Sequence, residues 1–145
     1  MYEEILVATD GSPTARRAVD HAVELAADFD AHLYVVYVVD ATAYGFADAR
    51  SDLVRDALTD EGEAAVESAV EAAEAAGVEA ESVVVTGSPA RDIVAYATDH
   101  GVDLLVVGTH GHRGLDRLLL GSVAERVVRT APMPVLTVRG DGGDE

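Results

Sequence analysis

A chain of 145 residues, 49% of them hydrophobic, can build one core but not comfortably two, so a single domain is expected. Its 27 acidic residues stand against ten basic ones, and the net charge of −17 argues against a nucleic-acid partner, which needs a basic face. The absence of cysteine excludes disulfides and thiolate-bound metals, and no apolar run reaches membrane-spanning length.

All ten basic residues are arginine. At ordinary ionic strength such a charge destabilises a compact chain by self-repulsion, whereas molar salt shortens the Debye length to about 3 Å. The composition resembles that of proteins from salt-accumulating halophiles. The chain opens Met-Tyr-Glu-Glu and passes straight into a strand with no basic leader, which predicts a cytoplasmic protein.

Glu3 to Thr9 is the first expected strand, because Ile5, Leu6, Val7 and Ala8 form an apolar run of the kind buried on both faces. Asp10-Gly11-Ser12-Pro13 closes it, with Ser12 as N-cap and Pro13 at the first position of a helix. Ala15, Ala18, Ala22, Leu25, Ala26 and Phe29 share one helical face, and Arg16, Arg17, Asp20, Glu24 and Asp28 the other. Leu33 to Val39 reads as a second strand closed by Asp40, and the aperiodic Ala41 to Arg50, carrying Tyr44 and Phe46, as a loop. From Ser51 to Ala76 a helical period returns, with Val54, Leu58, Ala65, Val66, Ala69, Val70 and Ala73 inward. Gly62 is a candidate break in that helix and Gly77 its C-cap.

Ser82 to Thr86 is a third strand, and Ser88-Pro89 repeats the earlier helix start, with Ile93, Val94 and Ala97 buried before Gly101. Asp103 to Val107 is a fourth strand. Ser122-Val-Ala-Glu125 reads as a capping box for a helix through Arg129, ended by Pro132 and Pro134. Pro134 to Arg139 alternates and carries proline, the mark of an edge strand. Residues 1–140 form the domain, and 141–145 a flexible acidic tail.

Strands alternating with helices imply a parallel sheet covered on both faces by right-handed crossovers, a Rossmann-like α/β fold. The first and fourth strands are the most uniformly apolar and belong at the centre, giving the order 3-2-1-4-5. Ligands of such sheets bind at the carboxyl ends of the strands where the winding reverses, here between strands one and four. Thr9-Asp10-Gly11-Ser12 and the glycine-rich loop from Gly108 both follow strands that end there. The loop then opens a helix at Gly121-Ser122, and a helix N-terminus is an anion site, so a phosphate-bearing ligand is expected between Gly108 and Ser122.

A Walker A loop needs lysine, which the chain lacks, and a dinucleotide fingerprint needs three glycines after the first strand, where only Gly11 is available. What remains is Gly108-x2-Gly111-x9-Gly121-Ser122 joined to Thr9-Asp10. Here the sequence resembles the universal stress protein family, in its nucleotide-binding branch. The likeness runs through Ile5-Leu-Val-Ala-Thr-Asp-Gly-Ser12, Val38-Val39-Asp40, Val107-Gly108-Thr109-His110-Gly111, Gly114 to Val123 and Pro132-Met133-Pro134-Val135. The resemblance implies ATP at the crevice, with Mg²⁺ as a candidate companion. Adenine would lie near Ala8, Thr9 and Val38, and the ribose hydroxyls on Asp10 and Gly108. The phosphates would follow the backbone of Gly111, Gly121 and Ser122, with Val123 and Ala124 beside them. Thr109 and His110 join the implied site within their block, and Arg113 is the arginine expected to reach phosphate, with Arg117 as its rival.

Other readings of the same residues stay open. Ser122 can serve as a helix cap, Asp10 can merely end a strand, and His110 and His112 lack a third metal ligand. Phosphoryl transfer needs a positioned nucleophile and a metal-holding carboxylate, and only Asp10, Asp116 and the two histidines offer themselves. The expectation is therefore a stress-response regulatory protein that binds ATP, rivalled by a slow ATPase or adenylate-handling enzyme and by a nucleotide-free scaffold. The exposed edge strand Pro134 to Val138 is the expected homodimer surface.

Overall fold

A computed structural model describes residues 2–40, 49–109 and 121–140, with side chains of the middle segment described from Leu53. Along the chain come β1 (Glu4–Ala8), α1 (Pro13–Phe29), β2 (His32–Asp40), α2 (Ala49–Ala75) and β3 (Ala80–Gly87). They are followed by α3 (Pro89–Asp99), β4 (Leu104–Gly108), α4 (Ser122–Thr130) and β5 (Val135–Val138). The strands pair in parallel in the order β3-β2-β1-β4-β5, the order expected from their relative apolarity.

Alternation along each strand divides the core into two layers. Ile5, Val7, Leu33, Val35, Tyr37 and Val106 face α1 and α2, where Ala18, Ala22, Ala26, Val66, Ala69 and Ala73 meet them. Leu6, Val36, Leu105 and Val107 face α3 and α4 through Ala90, Ile93, Ala97, Ala124 and Val127. Alanine predominates on the helices, and the bulk of the core is supplied by the aliphatic and aromatic strand residues.

Several local expectations change. Phe29 is 39% exposed and meets Tyr2 edge-on at 5.3 Å, while Val19 and Val23 complete the buried face of α1. Gly62 does not break α2, which runs unbroken from Ala49 to Ala75. A Cβ at Gly62 would stand 2.7 Å from Cδ1 of Tyr37, so the glycine admits that ring rather than ending the helix. Helix α2 also begins inside the stretch read as a loop; residues 41–48, with Tyr44 and Phe46, lie outside the described residues. Gly77 and Gly101 adopt φ of 78° and 65°, the left-handed conformation that ends a helix.

The two Ser-Pro starts are not equivalent. Ser12 is wholly buried and its Oγ accepts the Ala15 amide at 3.1 Å. Ser88 caps nothing with its side chain; its own amide donates to Asp92 Oδ2 at 3.0 Å. The capping box at Ser122 does not form. Gly121 is the N-cap, Ser122 is the first helical residue, and Glu125 pairs forward with Arg129 at 3.1 Å. Gly121 takes the cap position because its amide is tied back to the Thr109 carbonyl, holding it extended at φ −62°, ψ 158°.

Candidate functional site

The site is built where β1 and β4 end side by side. Register pairs Val7 with Val106, so Thr9 and Gly108 leave the sheet at neighbouring points of its carboxyl edge. The Thr9 amide donates to the Val36 carbonyl at 2.9 Å, and the Thr109 amide to the Val138 carbonyl at 2.9 Å. Both chains are therefore guided one residue past their strands before they turn.

The turn after β1 is over-determined. Thr9 Oγ1 accepts the Gly11 amide at 3.1 Å and Asp10 Oδ1 accepts the Ser12 amide at 2.9 Å, an Asx turn that fixes the carboxylate at the mouth of the crevice. Gly11 holds φ 81°, a conformation open to glycine at no steric cost. Arg16 closes the turn from outside, its Nη1 donating to the Gly11 carbonyl at 3.2 Å.

On the far side, the Gly121 amide donates to the Thr109 carbonyl, and the first intrahelical bond of α4 is Glu125 to Gly121 at 2.9 Å. The amides of Ser122, Val123 and Ala124 therefore belong to the first turn, which the N-cap Gly121 has no side chain to cap and where the macrodipole is positive. Ala124 turns its methyl into the core and Val123 is 37% exposed. At this edge those residues offer a ligand main-chain N–H groups.

Ala8 and Val38 complete the floor. Both are half-buried and pack on the layer beneath α3 and α4, which places an apolar patch beside the Asp10 turn. The structure thus gathers Ala8, Thr9, Asp10, Val38, Gly108, Thr109, Gly121, Ser122, Val123 and Ala124 around one edge. His110, Gly111 and Arg113, with the rival Arg117, lie outside the described residues.

One residue at this edge carries no sequence signal. Thr14 lies against Gly108: a Cβ there would meet its Cγ2 at 2.9 Å and its backbone carbon and oxygen at 3.3 Å. A Cβ on Gly140 would meet Thr14 Oγ1 at 2.9 Å, and Arg17 Nε donates to the Arg139 carbonyl at 3.0 Å. The first turn of α1 is thus clamped between the ends of β4 and β5. No periodicity or motif reports a contact between residues so far apart in the chain.

A second concavity, a groove of about 500 Å³ between α1 and α2, opens on the other side of the Thr9 to Gly11 turn, with Arg16, Asp20 and Glu61 on its walls. Among the described residues, the perturbed titratable groups lie at the amino edge instead. Burial, then the hydrogen bond and charge of Glu4, push the Tyr34 hydroxyl up to about 12; burial, then the charge of Glu81, raise Tyr96. Among the described residues no cluster can hold a metal ion.

The universal stress protein family model matches residues 1–139. The chain belongs to the universal stress protein family. Universal stress protein MJ0531 of Methanocaldococcus jannaschii is 41% identical over 141 residues, spanning 96% of this chain and 83% of that one. Among solved structures, MJ0577 of the same organism superposes with a TM-score of 0.85 at 31% identity, covering 97% of this chain and 98% of that one. A universal stress protein in complex with cAMP superposes at 0.72 with 33% identity, covering 97% and 99%. A relative of this fold therefore carries an adenine nucleotide.

The residues present fit such a ligand. They supply an apolar floor for a base, a carboxylate of the kind that accepts from ribose hydroxyls, and main-chain N–H groups for phosphate.

Proposed function

We propose that this universal stress protein is a regulatory module that binds ATP at the β1/β4 crevice. The observation that carries the reading is the meeting, at the winding reversal, of the Asx turn at Asp10 with the first-turn amides of α4. Adenine packs on Ala8, Thr9 and Val38, and Asp10 with the backbone of Gly108 and Thr109 takes the ribose. The amides of Gly111, Ser122, Val123 and Ala124 take phosphate, together with Gly121, His110 and Arg113 of the same loop. Mg²⁺ travels with the triphosphate as its counter-ion. Binding rather than turnover is the role this reading assigns, because among the described residues the crevice brings one carboxylate, that of Asp10, and main-chain amides to the ligand.

The test is to purify the protein in molar KCl, denature it and identify any released nucleotide by chromatography and mass. ATP near one per chain, absent from a Gly121→Val, Ser122→Val variant that still folds by circular dichroism, supports the reading. An empty site that gives no heat on titration with Mg-ATP overturns it and leaves the scaffold alternative.

The same reading makes the protein a homodimer through Pro134 to Val138. β5 is an edge strand paired with β4 on one side, and the adjoining α4 exposes Val128 at 45%. Sedimentation in native salt is expected to give twice the monomer mass; a monomer at micromolar concentration removes the dimer.

A further inference from the structure

We infer that ionic strength regulates nucleotide affinity, with occupancy rising as salt rises; the inference rests on the ATP-binding reading above. Most phosphate sites behave in the opposite way. Where lysine and arginine neutralise the anion, added salt competes with those pairs and affinity falls. Two features of this molecule reverse the sign.

The first is the nature of the donors. At the described end of the crevice the groups facing an anion are main-chain amides of α4 and the dipole behind them, none carrying a unit charge. Salt has little to screen there, because a hydrogen bond at contact distance lies well inside any Debye length.

The second is the field the anion must enter. With ten arginines against 27 acidic residues, at least seventeen carboxylates cannot be paired one to one. Asp20 and Glu61 line the groove behind the Asp10 turn, and Asp56, Asp60, Glu63, Glu67, Glu71 and Glu74 are exposed along α2. Arg16 and Arg17 spend hydrogen bonds on the Gly11 and Arg139 carbonyls, fixing their charge to the scaffold of α1. A polyanion therefore meets long-range repulsion on approach and, among the described residues, short-range neutral donors on arrival, with Arg113 of the loop a single positive charge against that field. Salt screens the first and spares the second.

For a net charge of −17 acting on a ligand of about −4, screening between about 0.1 M and about 1 M KCl strengthens binding on the order of 100-fold. For a ligand of about −2, the charge of Mg-ATP or AMP, the gain is on the order of 10-fold. Adenosine, uncharged, gains nothing by this route. Affinity becomes a readout of salt, graded by the charge of the ligand.

The experiment is calorimetric titration of the full chain with ATP, AMP and adenosine across that range of KCl, with circular dichroism at each salt to keep only conditions in which the protein is folded. The expected result is a salt-dependent gain ordered ATP, then AMP, then adenosine flat. A second arm uses Asp20→Asn combined with Glu61→Gln. Removing two charges behind the turn is expected to strengthen ATP binding on the order of two-fold at low salt and leave it unchanged in molar salt. ATP affinity that stays flat or falls with KCl, while adenosine binds throughout, overturns the inference and leaves the binding site intact. No adenine compound bound at any salt overturns the ATP reading itself and the regulation with it.

Discussion

Gly108→Ala separates two reasons for a glycine at the end of β4, and they predict different measurements. If the glycine exists only to let a ligand approach, alanine lowers nucleotide affinity and leaves the empty protein as stable as before, or firmer by the roughly 0.5–1 kcal/mol that glycine costs inside a strand. The structure gives another reason. The added methyl would stand 2.9 Å from Thr14 Cγ2, which can swing, and 3.3 Å from the Thr14 carbonyl carbon and oxygen, which belong to the first turn of α1 and cannot. Overpacking of this kind costs about 1–3 kcal/mol. Because the Thr14 backbone cannot give way, the cost falls in the upper part of that range, about 2–3 kcal/mol, and against the strand gain the net loss is about 1–2.5 kcal/mol, equivalent to a fall in melting temperature of roughly 3–8 °C for a domain of this size. The assay is urea unfolding without nucleotide in molar KCl, followed by far-ultraviolet circular dichroism. Thr14→Ser removes the methyl but keeps Oγ1, so in the Gly108→Ala background it should restore about half of the loss, and the double-mutant cycle should show a coupling of about 1 kcal/mol. A Gly108→Ala protein as stable as its parent, or a strictly additive cycle, refutes the clamp on Thr14.

The two Ser-Pro helix starts should respond differently to truncation. Ser12→Ala leaves the Ala15 amide without its acceptor in a buried turn and should cost about 1–2 kcal/mol, whereas Ser88→Ala should cost no more than a few tenths in the same urea titration. Tyr34 supplies a pH dependence. Its folded-state pKa is raised from 10.0 to about 12, so its contribution is fully present below pH 10 and is lost as the pH rises through 12. With no lysine or cysteine in the chain, tyrosines dominate that window. Unfolding measured across it should show stability falling with pH, with Tyr96 adding in the same direction. Tyr34→Phe should flatten the slope, and an unchanged slope refutes the assignment.

Strand order, the layering of helices on both faces and the reversal of winding between β1 and β4 were legible before any coordinates because each follows from local pattern. A fully apolar strand must be central, a crossover must be right-handed, and a glycine loop before a helix must present amides. Where the expectation failed, the deciding contact came from elsewhere in the chain. Gly62 reads as a helix breaker by propensity, yet it admits the ring of Tyr37. Ser122 and Glu125 have the spacing of a capping box, yet the bond from the Gly121 amide to Thr109 moves the cap one residue back and turns Glu125 toward Arg129.

The amino-acid sequence by itself determined the elements and their order in the sheet, because hydrophobic period and the apolarity of a strand are properties of neighbours along a chain. Tertiary structure alone decided that Thr14 is clamped between Gly108 and Gly140, that α2 continues through its glycine, and that Gly121 rather than Ser122 caps α4 at the edge Asp10 occupies. Those facts depend on distances between segments as much as 126 residues apart, from Thr14 to Gly140, which only the packed sheet sets.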